Sequence, residues 1–89
     1  MRYHIDTGKV VWRSIAGEMV LLNLDTGHYY GLNKTGTAVW SMLCAKKTIK
    51  EAVERISRKY SVSLKEAHED IATLVKSLEM EGIISKAKG

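Results

Sequence analysis

Three histidines, one cysteine and a pair of adjacent tyrosines are the side chains whose types could do chemistry in this sequence. His4, His28 and His68 lie far apart, and none has a second ligand at the His-x-x-x-His spacing of a helical metal site, so each reads as a solvated surface histidine and no metal is expected. Cys44 would be a nucleophile only with a histidine brought beside it, which nothing in the sequence provides. A small buried apolar role is expected for it instead, because free cysteines are among the most buried residue types. Gly17, Gly27 and Gly36 fall singly, so no glycine-rich loop is present to cradle a phosphate. These residues predict no catalysis and no cofactor.

The tyrosines offer a different chemistry. In His28-Tyr29-Tyr30-Gly31-Leu32, successive side chains of an extended chain point to opposite faces, so Tyr30 joins Leu32 on one face and Tyr29 joins Gly31 on the other. With Leu32 in the core, Tyr29 points outward. This segment is the last strand of its sheet and by default an edge, with unpaired N–H and C=O groups. Such edges are normally blunted by proline or charge, and this strand carries neither. Shortness alone could protect it, or the edge could be open to an extended peptide that adds as a further strand, with its side chains between His28–Leu32 and the last helix. Asp70 on that helix would then favour basic or donor-bearing groups in the peptide.

The elements that must position this strand can be read from the pattern. Val10–Arg13 and Met19–Leu24 are β-branched and aliphatic runs around Ala16-Gly17-Glu18, and the second ends at Asp25-Thr26-Gly27, where Gly27 suits the left-handed position of a hairpin turn. With His28–Leu32 they predict a three-stranded antiparallel meander. From Asn33, a good N-cap, Gly36, Val39, Trp40 and Leu43 recur at helical spacing to near Ala45. Thr48-x-x-Glu51 is a capping box opening a helix with Ile49, Val53 and Ile56 on its apolar face. Ser63-x-x-Glu66 is a second, opening the longest helix, with Leu64, Ala67, Ile71, Leu74 and Leu78 along one stripe and Gly82 as its stop. Ile83-Ile84-Ser85 then reads as a short extended segment and Lys86–Gly89 as a frayed polar tail. The prediction is an α+β domain: a three-stranded antiparallel β-meander followed by three helices, with Tyr60–Val62 as the break of a helix-turn-helix.

The 89 residues make one domain, residues 1–89, with 45% hydrophobic and 27% charged residues, as in an ordinary folded protein. A chain this short buries roughly 60–65% of its unfolded surface, which leaves little room for a deep enzymatic cavity. No signal peptide and no membrane-spanning stretch is seen, so a cytoplasmic location without a membrane partner is expected. The helix-turn-helix and the net charge of +4 raise the alternative of a small winged-helix DNA-binding regulator. The distribution of charge opposes it. Residues 63–81, the last helix, carry Lys65 and Lys76 against Glu66, Glu69, Asp70, Glu79 and Glu81, a net of −3 that phosphates would repel. The basic charge gathers in residues 46–59, where Lys46, Lys47, Lys50, Arg55, Arg58 and Lys59 exceed Glu51 and Glu54 by four, and it reads as the solvated face of the middle helix. No nucleic-acid partner is expected.

The segments "VVWR", "MVLLNLDTGHYYGLNKTGTAVWSML" and "LVKSLEMEGII" resemble the PqqD family, also called the RiPP recognition element, from about Val10 to Ile84. The most specific part is Leu22-x-Leu24-x-Thr26-Gly27-x-Tyr29-Tyr30-x-Leu32-Asn33-x-Thr35-Gly36-x-x-x-Trp40. The resemblance implies a winged-helix-like domain without enzymatic activity that binds the leader of a ribosomally made precursor peptide and presents it to a modifying enzyme. It further implies that the leader adds as a strand to His28, Tyr29, Tyr30, Gly31 and Leu32 and lies against the last helix, with groove-facing candidates Asp70, Ile71, Thr73, Leu74 and Ser77; Leu74 is equally plausible as core. The pattern is most similar to stand-alone proteins of lasso-peptide clusters, which work with a separate leader peptidase. Members serving the PQQ cofactor usually have arginine or a similar residue before Leu-Asn and lack the Thr-Gly-x-x-x-Trp helix start. The chain departs from them there, which leaves delivery to a radical-SAM enzyme as the alternative. A monomer is expected, although a free edge also permits a strand-swapped dimer.

Overall fold

The computed structural model describes residues 3–86. The elements run β1 (Tyr3–Ile5), β2 (Val10–Ile15), β3 (Glu18–Asn23), β4 (Tyr29–Gly31), α1 (Lys34–Cys44), α2 (Ile49–Tyr60), α3 (Leu64–Met80) and β5 (Ile84–Lys86). The meander forms as a sheet in the order β2-β3-β4, antiparallel throughout. Its alternation places Val10, Leu21 and Leu32 in the core, with Tyr30 packed against them. The helices cover that face with Val39, Trp40 and Leu43 of α1, Ala52, Val53 and Ile56 of α2, and Ala67, Ile71, Val75 and Leu78 of α3. Trp40 is fully buried, and its ring meets that of Trp12 edge-on, with centroids 5.2 Å apart.

The helix ends follow the cap chemistry. The Asn33 side chain accepts from the Gly36 N–H at 2.8 Å, and Thr48 and Glu51 form both arms of a capping box. At Ser63 the hydroxyl accepts from the Glu66 N–H, and the returning carboxylate bond is absent among the described residues. Gly27 is left-handed, with φ +75°, as the turn requires. α3 ends in a Schellman motif: Ile83 N–H donates to the Leu78 carbonyl and Gly82 N–H to that of Glu79, with Gly82 at φ +72° and both Ile83 and Leu78 buried.

Several expectations are corrected. The chain carries a second sheet, in which β1 pairs antiparallel with β5 so that Tyr3 faces Lys86 and Ile5 faces Ile84. Lys86 is thus strand rather than tail, and residues 87–89 lie outside the described residues. Burial and, after it, the neighbouring Glu79 carboxylate raise the Tyr3 pKa. Leu64 is 58% exposed, because the first turn of α3 projects past the core, and Val75 completes the buried stripe in its place. Cys44 is exposed at the C-terminal end of α1 rather than buried, although partial desolvation still raises its thiol pKa.

Asn23 is the buried polar side chain that ties the meander to the helices. Its Nδ2 donates to the Glu81 carbonyl at 2.7 Å, while Oδ1 accepts from the N–H groups of Asp25 and Thr26. One amide therefore holds the β3–β4 turn and anchors it to the end of α3. Asn23→Ala leaves all three backbone groups without that partner, and is expected to cost about 1–3 kcal/mol. Thermal denaturation followed by circular dichroism should show a melting temperature lower by roughly 5–15 °C.

Candidate functional site

β4 pairs with β3 on one side and, among the described residues, with nothing on the other. Which of its backbone groups are free follows from the ladder. Asn23 N–H donates to the His28 carbonyl, Leu32 N–H donates to the Met19 carbonyl, and Tyr30 sits opposite Leu21. Antiparallel pairing alternates, so residues 28, 30 and 32 turn their backbone toward β3. Tyr29 and Gly31 turn their N–H and C=O groups to the open side.

That side opens on a groove of about 510 Å³. One wall is Tyr30, Gly31 and Leu32, the other is Asp70, Ile71, Thr73, Leu74 and Ser77 of α3, and the start of α1 closes the floor with Asn33, Thr35, Gly36 and Val39. The α1 contribution is possible because Gly36 has no side chain: a Cβ there would lie 3.3 Å from the Leu32 Cβ. At one end, the Asn23 bond to the Glu81 carbonyl holds strand and helix together, and His28 Nδ1 and Glu81 Oε2 lie 3.9 Å apart beside it.

Eight of the ten site residues expected from the sequence line this groove. The other two lie beside it. His28 is at the closed end, and the Tyr29 side chain, 73% exposed, points to the outer face of the sheet while its backbone faces the edge. Leu74 is half-buried and serves both core and groove. Asn33, Thr35, Gly36 and Val39 were not among the site residues expected from the sequence, because their place in the groove depends on how closely α1 approaches Leu32.

Two further features bear on the choice of site. β2 is the sheet's other edge, and it carries Arg13 in mid-strand, a charge of the kind that discourages pairing. The outer face of the sheet is apolar, with Val11, Leu22 and Tyr29 in one cross-strand row, Val20 beside Arg13 in the next, and Ile15 beyond. Among the described residues no group of three or more His, Cys, Asp or Glu side chains could hold a metal ion, and no helix is long and apolar enough to cross a membrane.

The family described as coenzyme PQQ synthesis protein D, PqqD, matches residues 18–84, which include β3, β4 and all three helices. The chain belongs to the PqqD family. Among solved structures, this PqqD-family chain is similar to TbiB1 in complex with the TbiA(β) leader peptide, at 31% identity over 100% of both chains and a TM-score of 0.87. A lasso peptide synthetase B1 complexed with its leader peptide shares the fold, with a TM-score of 0.87 at 24% identity over 97% of this chain and 100% of that one. The comparison with curated proteins finds no match. The match to a PqqD-like RiPP recognition element agrees with the resemblance carried by the Tyr29-Tyr30 and Thr35-Gly36-x-x-x-Trp40 segments.

Proposed function

We propose that this protein binds the leader segment of a ribosomally synthesised precursor peptide by strand addition to β4, and presents it to a processing enzyme. The observation that carries the reading is the outward backbone of Tyr29 and Gly31 facing a groove walled by α3. Backbone pairing would supply affinity without reading sequence, and the groove side chains would supply selectivity. The protein acts by binding and not by catalysis, as a monomer in the cytosol. The TbiB1 complex with a leader peptide supports the same use of the fold here.

The processing enzyme on this reading is the leader peptidase of a lasso-peptide pathway. A bound leader would place every second side chain on the outer face next to Tyr29, extending the apolar surface of Val11, Val20 and Leu22 that a partner enzyme could cover. The family's own description favours one other reading, delivery of a precursor to a radical-SAM enzyme in PQQ synthesis. Both use the same edge.

Titration of the isotopically labelled protein with leader peptides of lasso-type and PQQ-type precursors tests the reading. Amide shifts should concentrate at residues 28–32 and 70–77, should survive added salt, and should appear with one class of leader. Shifts confined to the basic residues 46–59, lost steeply as salt is raised, would instead indicate an anionic partner on α2.

A further inference from the structure

The groove has a direction. β4 is entered from His28, beside Glu81 at the C-terminal end of α3, so strand and helix run in opposite senses along the two walls. From His28 to Asn33 the extended chain advances about 17 Å, and from Glu81 back to Asp70 the helix advances about 16 Å. Asp70 therefore stands across the groove from Asn33, at the opposite end from the His28–Glu81 pair.

The two ends differ in what neighbours their carboxylates. At the closed end the Glu81 carboxylate has His28 beside it. Asp70 is exposed, has no ion-pair partner among the described residues, and is the one Asp, Glu, Lys, Arg or His side chain lining the groove. Lys34, beside Asn33, and Lys65 and Lys76 of α3 are not on the lining. On the same part of α3, Glu66 and Glu69 outnumber Lys65 and keep the local field negative. Between the ends, the half-buried Tyr30 and Leu74, with the buried Val39 and Ile71 behind them, offer a seat for one large aliphatic or aromatic side chain.

We infer that Asp70 selects leader segments bearing a lysine or arginine at the Asn33 end of the bound strand, two residues from an apolar side chain seated on Tyr30 and Leu74. The two-residue interval follows from the strand period, since alternate side chains of the guest face the groove. A guest antiparallel to β4, the arrangement β3 already uses, enters with its N-terminal end at Asp70, so the basic residue precedes the apolar one. This rests on the strand-addition reading, and gives that site a substrate class and an orientation.

The test is an mRNA-display selection of short randomised peptides against the wild-type protein and against Asp70→Asn, a near-isosteric change on an exposed helix face whose folding is checked by circular dichroism. The wild-type pool should be enriched in Lys or Arg at one position, two residues before an apolar residue, and the Asp70→Asn pool should keep the apolar position and lose the basic one. A selected lysine peptide should bind the Asn variant about 3- to 5-fold more weakly, the range of an exposed ion pair, and its Lys→Gln counterpart should not distinguish the two proteins. A wild-type pool with no basic position, or the same basic position in both pools, overturns the role of Asp70 and leaves strand addition standing. Pools whose binding survives Gly31→Pro overturn strand addition itself and the inference with it.

Discussion

Gly31→Pro should abolish leader binding while shifting the melting temperature by no more than a few degrees. The Gly31 N–H points away from β3, so proline removes no ladder bond from the native sheet. Gly31 is not in the left-handed region, and Tyr30 before it is in the extended conformation that the residue preceding proline prefers. A strand edge is where proline is tolerated. For the guest the change is severe: its carbonyl loses a donor and meets the pyrrolidine ring in that donor's place. The lost bond leaves a desolvated acceptor at about 1–3 kcal/mol, and the steric block adds to it, so affinity should fall by roughly 100-fold or more. Gly31→Ala keeps the N–H, and its added Cβ meets no atom within 4 Å, so that variant should bind as wild type. Calorimetric titration with thermal melts on the same samples provides the measurement. Full-strength binding by a folded proline variant would remove β4 from consideration as the docking edge.

The largest effect on stability is expected at Trp40. Its side chain has 0% exposure and sits between the sheet and the other helices, against Trp12. Truncation to alanine should cost about 3–5 kcal/mol through lost burial and the cavity left behind. Against a total stability of roughly 5–10 kcal/mol for a domain of this size, that lowers the melting temperature by about 15–35 °C. Trp40→Phe should be much milder, about 1–2 kcal/mol. The indole Nε1 is buried with no hydrogen-bond partner among the described residues, so phenylalanine gives up packing volume while relieving an unpaired donor. Urea denaturation followed by far-ultraviolet circular dichroism ranks the three proteins, and a phenylalanine variant as unstable as the alanine one would mean that the N–H contributes favourably where it lies.

What could be read from the residues, and what could not, divides along the range of the interactions. Asn33, the Thr48–Glu51 box and Gly82 act on backbone groups within a turn of themselves, and each was legible because its partner lies a few positions away. The meander was legible for a similar reason, since short turns leave little choice of partner. β1 and β5 were not. Each has three residues, too few for a periodicity, and they pair across nearly the whole length of the chain. Leu64 was misplaced because a stripe drawn from a cap onward assumes that the first turn is covered. Ile71 and Leu78 bracket Val75 at spacings of four and three, so that residue was recoverable from the same pattern. Within the site, the edge and the α3 wall followed from alternation and helical phase. The α1 floor depended on how closely Gly36 lets the helix approach Leu32, a tertiary distance that no local pattern encodes.

β4 is only three residues long, so Tyr29 and Gly31 offer a guest four outward backbone groups. At about 0.5–1.5 kcal/mol net per hydrogen bond, that ladder contributes about 2–6 kcal/mol before the cost of ordering the guest, so groove contacts must add several kcal/mol to bring the complex to about micromolar strength. With ordinary association rates of about 10⁵–10⁷ M⁻¹s⁻¹, such a complex dissociates within seconds or less. On the strand-addition reading, the brevity of the edge makes the protein a courier: residence is short enough for one molecule to escort many precursors in succession, and turnover is not throttled by release of the spent leader.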